Sequence, residues 1–109
     1  MGAPATPLPA VYQDPTTVDP GHYKVEFENE RVRVLRIRYG PGEKSTMHGH
    51  PASVAVFLTD GRFRFTYPDG RADDNAATAG QVLYFDALEH LPENTGDQPF
   101  EVIAVELKG

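Results

Sequence analysis

The sequence predicts a single small all-β domain. Its 109 residues are the length of one domain. Short runs in which apolar and polar residues alternate are separated by Gly, Pro, Asn and Asp at intervals of about 8–12 residues, which is typical of a β-sandwich or β-barrel. No run has a convincing helical periodicity of apolar residues.

The first 20 residues predict an extended arm. Five of the ten prolines of the chain lie there: Pro4, Pro7, Pro9, Pro15 and Pro20. Proline fixes φ and has no backbone donor, so this density disfavours both helix and strand pairing. We therefore divide the chain into an extended or disordered arm, 1–20, and a folded domain, 21–109. The arm is either free or bound to its own domain or to a partner subunit.

Two strands are expected directly after the arm, in 22–28 and 31–39. In the first, apolar residues alternate on one face: Tyr23, Val25 and Phe27. In the second, the apolar phase changes between Val34 and Leu35, as a β-bulge would make it do. That phase turns four arginines to the solvent: Arg31, Arg33, Arg36 and Arg38.

Later strands are expected in 53–59, 62–67, 81–85 and 100–107. Asp60-Gly61 predicts a hairpin between the first two of these, and Pro68-Asp69-Gly70 predicts the next turn. The intervening 71–79 is a weak strand or a loop.

Composition excludes several classes of function. The net charge of −6 disfavours nucleic acid as a partner, because phosphate binding needs a basic surface. The chain has no cysteine, so disulfides, thiolate ligands and cysteine nucleophiles are excluded. No apolar run is long enough to span a membrane, and the N-terminus lacks the basic and apolar regions of a signal peptide. We therefore expect a cytoplasmic protein without a membrane partner.

The histidines are the candidate chemical groups. There are four: His22, His48, His50 and His90. His48 and His50 stand two residues apart in an expected strand, so both face the same side. Imidazole is a common ligand of transition metals, but this pair alone is a weak signal.

The surroundings of the histidines resemble the two motifs of the cupin superfamily. Gly42 precedes His48 by six positions, and Gly61 follows His50. Further on, a second set has the spacing of the second motif: Gly80, His90 and Asn94. The resemblance covers about residues 22–107. It implies a single antiparallel jelly-roll β-barrel that is usually a homodimer and binds its metal or ligand inside.

By the same resemblance, His48, His50 and His90 are the metal ligands. The implied cofactor is a divalent transition metal, with Fe, Ni, Mn, Co, Cu and Zn all compatible with imidazole ligands. The glutamate position of the first motif falls on Val54, which we expect on the inward face. The proline and glycine of the second motif are replaced by Asp86 and Leu88, which changes the loop expected to carry His90.

Without the glutamate, three neutral imidazoles would hold the ion. Such a site resembles that of some cupin dioxygenases, favours anionic ligands and leaves coordination positions open. The alternative is a barrel that has lost its metal.

Candidates for further catalytic groups are weak. Tyr84 and Tyr39 could present a hydroxyl to the cavity, and Glu93 could order the His90 imidazole. The alternatives are tyrosines that cap the core and a carboxylate on a solvated loop. His22 lies outside both motifs and is expected at the surface or an interface.

Our favoured hypothesis is a metal-dependent small cupin enzyme, of the three-histidine Fe(II) oxygenase type, acting on a small anionic or chelating metabolite. One alternative is a lyase or isomerase that uses the same metal as a Lewis acid. The others are a non-catalytic barrel that binds metal or a small ligand, and a metal-free domain with a structural role.

Overall fold

The computed structural model describes residues 12–109. In this range the chain forms one helical turn and nine strands: α1 (Pro15–Val18), β1 (Tyr23–Glu28), β2 (Val32–Tyr39), β3 (His48–His50), β4 (Ser53–Phe57), β5 (Gly61–Thr66), β6 (Ala72–Ala77), β7 (Val82–Phe85), β8 (Leu88–Asn94) and β9 (Phe100–Leu107).

The strands form two antiparallel sheets, which confirms the predicted all-β jelly-roll class. One sheet has the order β1-β2-β9-β4-β7 and the other has the order β3-β8-β5-β6. Apolar side chains from both sheets form a single core, rich in aromatic rings, that includes Tyr39, Phe57, Phe63 and Phe100. The sheets therefore enclose the space into which β3 and β8 direct their histidines.

The N-terminal segment differs from the predicted extended arm. Residues 1–11 lie outside the described residues, but Pro15–Val18 form a helical turn. The Asp14 side chain caps this turn by accepting a hydrogen bond from the Thr16 backbone N–H at 2.8 Å. Proline is tolerated in the first turn of a helix, because its missing N–H would have no partner there anyway. The density of prolines therefore did not exclude a helical turn.

The predicted bulge lies on β1 and not on β2. The register of β1 against β2 shifts between Val25 and Phe27, whereas β2 pairs with β9 without interruption. After the shift Phe27 pairs with Val34 and is half exposed, while Tyr23 is buried. The two residues therefore differ in burial, contrary to the single apolar face expected for this strand.

Arg33 does not face the solvent, although it was predicted to do so with the other arginines of this strand. Because β2 is regular, Arg33 shares its phase with Leu35, and its side chain is only 15% exposed. It is held by carboxylates on both sides, which is the usual condition for burying a guanidinium.

The phase of β4 is opposite to the predicted one. Ser53, Ala55 and Phe57 are buried, whereas Val54 and Val56 turn to the outer face. The reason is a break at 51–52, between β3 and β4, which shifts the alternation by one residue. A shift by one residue moves every side chain of a strand to the other face.

Asp60-Gly61 does not form the predicted hairpin. β4 pairs with β7 and β9, whereas β5 pairs with β6 and β8, so the chain crosses between the sheets here. A Cβ on Gly61 would lie 3.0 Å from the Cβ of Phe100, so close packing explains this glycine. The turn at Pro68–Gly70 is confirmed, with Gly70 at φ +89°.

Two segments expected as weak or irregular are strands. The ambiguous 71–79 contains the exposed edge strand β6, and the stretch expected to be a loop around His90 is β8. Among the helical residues of the described range, none belongs to a helix long and apolar enough to cross a membrane.

Candidate metal centre

The three histidines of the two motifs meet inside the fold. His48 and His90 are directly opposed partners of the β3–β8 pair, and His50 follows two residues along the same strand. The ring centroids are 4.9 Å apart for His48–His50 and for His48–His90, and 5.1 Å apart for His50–His90. One nitrogen from each ring lies within 4.8 Å of the others. The predicted ligands thus form one cluster.

Several nitrogens of this cluster have no partner in the part of the chain that the structure describes. The three residues are between 0% and 7% exposed. His48 Nε2 and both ring nitrogens of His90 are buried without a hydrogen bond to the described residues. A buried polar atom without a partner is costly, and such atoms in a folded protein call for an explanation such as an ion.

Neighbouring acceptors fix which nitrogen of His48 and His50 is free. His48 Nδ1 donates to the carbonyl oxygen of Thr46 at 2.8 Å, and His50 Nδ1 donates to Glu106 Oε2 at 2.7 Å. Both acceptors lack a proton to give, so each Nδ1 carries the hydrogen. The lone pair of each ring is therefore on Nε2.

Burial keeps two of the imidazoles neutral. It lowers the pKa of His48 to about 4, with a smaller contribution from the nearby His50. Burial also lowers the pKa of His90 well below the ordinary value for histidine. Because a metal binds only the neutral imidazole, these two side chains are ready to ligate at neutral pH.

Glu106 is a site residue that the sequence analysis missed. It lies at the end of β9 on the inward face with Val102 and Ala104, and is 2% exposed. Its Oε1 accepts a hydrogen bond from Arg33 Nε at 2.8 Å, so both carboxylate oxygens are used. A carboxylate in the inward phase of an apolar strand was the signal that could have identified it.

Arg33 supplies the positive charge beside Glu106. Burial opposes the charged guanidinium, but hydrogen bonds to Asp14 and Glu106 more than offset this and raise the pKa of Arg33. The cation therefore balances the carboxylate that orients His50.

A cavity of about 70 Å³ opens beside His50 and His90. Its walls are mostly aromatic and aliphatic, and they include Phe57, Phe63, Phe65, Phe85 and Phe100. Tyr23 and Tyr39 also line it, with their hydroxyl oxygens 2.7 Å apart in a hydrogen bond. Burial raises the pKa of both tyrosines, so these hydroxyls stay protonated.

Of the other candidate residues, the structure brings Tyr39 to this cavity but neither Tyr84 nor Glu93. Tyr84 is 59% exposed and pairs with Val54, which faces outward. Glu93 alternates with His90, Pro92 and Asn94 on β8 and so lies on the opposite face from His90. Tyr39 does face the cavity, and its hydroxyl is buried, not in water as expected for a tyrosine that caps the core.

Val54 cannot take the place of a ligand. It lies on the outer face of β4, so the expectation of an inward valine in the glutamate position is wrong. The inward residues of this strand nearest to it are Ser53 and Ala55, both of which line the cavity. Among the described residues the cluster of metal-binding type consists of the three histidines.

His22 was expected at the surface or an interface, and its side chain is mostly buried within the described chain. Its ring stacks on Tyr39 with centroids 4.2 Å apart. Its Nδ1 lies 2.8 Å from Asp19 Oδ2 and its Nε2 lies 3.1 Å from Glu43 Oε1. Both nitrogens thus have partners, in contrast to those of His90.

The donor set fits a divalent transition metal. Imidazole nitrogens suit Fe, Ni, Mn, Co, Cu and Zn, and one nitrogen of each ring lies close enough to the others to share an ion. A carboxylate hydrogen bond to the far side of a ligating ring, as from Glu106 to His50, is also the usual support of a metal-binding histidine.

Comparisons with known proteins define the class of this fold. A cupin domain from Bordetella pertussis Tohama I has a TM-score of 0.73 at 29% identity, with 80% of this chain and 92% of that chain covered. A conserved protein with a double-stranded β-helix domain from Klebsiella pneumoniae has a TM-score of 0.64 at 19% identity, with coverages of 82% and 79%.

A larger enzyme shares the same domain. Oxalate decarboxylase of Bacillus subtilis, in a study of its Mn(II) centres, has a TM-score of 0.55 at 25% identity. The match covers 71% of this chain and 22% of that one, so this chain corresponds to about a fifth of the enzyme.

The model of the cupin domain family matches residues 35–106. The chain therefore belongs to the cupin family. No curated protein matches the sequence.

Proposed function

We propose that this cupin binds one divalent transition metal through His48, His50 and His90. The observation that carries the proposal is the cluster of buried imidazole nitrogens that have no partner among the described residues. A metal ion would accept these lone pairs and remove the cost of burying them unpaired.

The ligand class follows from charge. Three neutral imidazoles leave the dipositive charge of the ion uncompensated, and the nearby Glu106 is already balanced by Arg33. A small anion or chelating group is therefore the preferred partner of the open coordination positions.

The cavity limits the size of this ligand. A volume of about 70 Å³ holds only a few groups the size of a water molecule. Its aromatic walls favour an apolar portion. Within the Tyr23–Tyr39 hydroxyl pair, the hydroxyl that accepts the shared hydrogen bond keeps its own hydrogen to donate to an oxygen of the ligand. We infer a small carboxylate, enolate or 2-oxo acid.

The favoured reaction is that of an Fe(II)-type oxygenase. When bound, such a metal supplies dioxygen activation or polarises a carbonyl. The described residues that line the cavity include no lysine and no carboxylate, so they offer few groups for acid–base steps. The residues of the chain would hold the ligand, exclude water and donate hydrogen bonds from tyrosine.

A lyase is the second candidate. The likeness to oxalate decarboxylase favours it, because that enzyme is named for removing a carboxyl group from oxalate, a small dicarboxylate. The third candidate is a barrel that binds metal and ligand without turnover.

Metal binding is tested first, by stoichiometry. Chelator-treated protein is titrated with Mn²⁺, Fe²⁺, Co²⁺ or Zn²⁺, and bound metal is measured by elemental analysis. We expect about one ion per chain, lost in His48→Asn and His90→Asn. His22→Asn is the matched control and should retain the ion, since His22 lies outside the cluster. Equal metal content in all four proteins would refute the site.

The reaction type is tested next, with the Fe²⁺- and Mn²⁺-loaded protein and a panel of small carboxylates and 2-oxo acids. Uptake of oxygen that requires both substrate and His90 would support the oxygenase. Release of CO₂ without net oxygen uptake would support the lyase. A change of the Mn²⁺ EPR spectrum when a ligand is added, without formation of product, would support the barrel that binds metal and ligand without turnover.

We also propose that two copies associate through the outer face of the five-stranded sheet. Residues in register form an apolar row across all five strands: Phe27, Val34, Val105, Val54 and Tyr84. Val56, Val82 and Ile103 extend it into a second row. A sheet face exposed to water would carry polar residues here, so a covering partner is expected. A self-complementary patch is what a two-fold dimer requires.

A further inference from the structure

The N-terminal segment 13–19 contacts the strand that carries two of the histidines. The backbone N–H of Gly49, which lies between His48 and His50, donates to the Gln13 carbonyl oxygen at 2.9 Å. The β3 strand is therefore held from one side by β8 and from the other by this segment.

One chain of hydrogen bonds leads from the segment to His50. Asp14 Oδ2 accepts from Arg33 Nη1 at 2.8 Å, and Arg33 Nε donates to Glu106 at 2.8 Å. Glu106 in turn accepts from His50 Nδ1 at 2.7 Å. The side chains of Arg33 and Glu106 are 15% and 3% exposed, so these charges interact with little screening by water.

A second chain leads from the same segment to His48. Ser45 Oγ donates to Asp19 Oδ2 at 2.5 Å and lies 3.2 Å from His48 Nδ1. Asp19 is also mostly buried, with 14% of its side chain exposed. Two carboxylates of one short segment thus reach two different rings of the histidine cluster.

We propose that the segment 13–19 is a positioning element of the metal site. It holds the His48 and His50 imidazoles in the orientation that directs Nε2 at the ion, through Asp19–Ser45 and through Asp14–Arg33–Glu106. The proposal rests on the proposed function, because it assumes that these rings bind metal. Groups that orient metal-ligating histidines typically change metal affinity about 10- to 100-fold when they are removed.

Asp14→Asn separates positioning from folding. Asparagine caps a helix about as well as aspartate, so the turn α1 should persist while the charge that anchors Arg33 is lost. We measure Zn²⁺ affinity by competition with a chromophoric chelator, the visible spectrum of the Co²⁺-loaded protein, and unfolding by urea. The control is Asp74→Asn, which also removes a carboxylate paired with an arginine, but at an exposed ion pair with Arg64.

A double-mutant cycle tests the route of the effect. We expect Glu106→Gln to lower Zn²⁺ affinity about 10- to 100-fold. Asp14→Asn should lower it by a smaller factor and alter the Co²⁺ spectrum. In the Glu106→Gln background Asp14→Asn should have no further effect, because its influence passes through that carboxylate. Asp19→Asn should still lower Zn²⁺ affinity in the Glu106→Gln background, because Asp19 acts on His48 through Ser45 and not through Glu106.

The outcomes separate this proposal from the proposed function. If wild-type protein binds no metal, the metal site itself is refuted. If wild-type protein binds metal and both Asp14→Asn and Asp19→Asn match Asp74→Asn in affinity and spectrum, the positioning role is refuted while the metal site stands. Additive effects of Asp14→Asn and Glu106→Gln would also overturn the proposed route.

Discussion

The orientation of each imidazole depends on what its second nitrogen contacts. Thr46 and Glu106 fix the rings of His48 and His50, whereas both nitrogens of His90 lack partners among residues 12–109. The spacing of the histidines in the sequence was sufficient to predict the three as a set. The residues that orient them were not predictable from spacing, because Arg33 and Glu106 meet only when β2 pairs with β9.

Acid should destabilise the metal-free protein through two of these rings. Burial lowers the pKa of both His48 and His90 below their unfolded values, so the unfolded chain binds more protons. Above about pH 6.5, the pKa of histidine in the unfolded chain, these rings do not lower the free energy of unfolding. Below that pH the free energy of unfolding decreases until the pH reaches the folded pKa, which is about 4 for His48. Urea unfolding of chelator-treated protein between pH 7 and 4.5 measures this loss.

His48→Gln provides the control for this pH dependence. It removes one titrating imidazole, so the decline in stability across the same pH range should become shallower. An unchanged slope would show that His48 does not contribute to it.

Val54 gives a second prediction at the residue scale. Since its side chain lies on the outer face of β4, away from the histidine cluster, Val54→Glu should change Mn²⁺ affinity by no more than about twofold, even though it places a charge in the proposed dimer contact. Isothermal titration of the chelator-treated variant measures this directly. A large gain in affinity would show that residue 54 reaches the ion and that the strand phase is the opposite one.

The strands show which structural features could be predicted from the sequence pattern and which could not. Alternation predicted β5 and β9 and the turn at Pro68–Gly70, because those strands are regular along their length. The inward and outward residues of β4 were mispredicted, because the alternation was counted from His50 without interruption. The break at 51–52 shifts that alternation by one residue. Asp60-Gly61 was mistaken for a hairpin because the same residues also suit a crossover between sheets.

Gly61 at that crossover should tolerate no larger side chain. A methyl group there would lie 3.0 Å from the Phe100 Cβ, so Phe100 or the backbone must move. We expect Gly61→Ala to lower the free energy of unfolding by about 1–3 kcal/mol, as overpacked cores do. Urea unfolding measures this, with Gly21→Ala as control, since its added Cβ would meet only one atom at 4.0 Å. Equal stability of the two variants would contradict the packing explanation.

For the whole molecule, the family follows from the sequence, whereas the assembly and the reaction depend on surfaces that single strands do not predict. The two apolar rows became visible only when register aligned Phe27, Val54 and Tyr84 across the sheet. One fold can carry many different reactions, so the cupin fold alone does not determine the chemistry. The features of this chain that bear on its chemistry are the small aromatic cavity and the three buried imidazoles beside it.

Association should be sensitive to charge on the outer face. Tyr84→Lys places a cation in the proposed dimer contact, and a lysine that is buried without a partner there is costly. We expect the wild-type protein to sediment as a dimer and Tyr84→Lys to sediment as a monomer. Leu58→Lys is the control, because Leu58 is exposed but lies outside both rows. A monomeric wild-type protein, or a Tyr84→Lys variant that is still a dimer, would contradict dimerisation through the outer face of the five-stranded sheet.

The most direct test of the account is anomalous X-ray diffraction from crystals of the Mn²⁺-loaded protein. We predict one anomalous peak per chain, in contact with a nitrogen of each of His48, His50 and His90, with Glu106 bonded to the far side of the His50 ring. A peak bound elsewhere, or no peak among these rings in crystals grown with saturating Mn²⁺, would contradict the central claim that the three histidines share one ion.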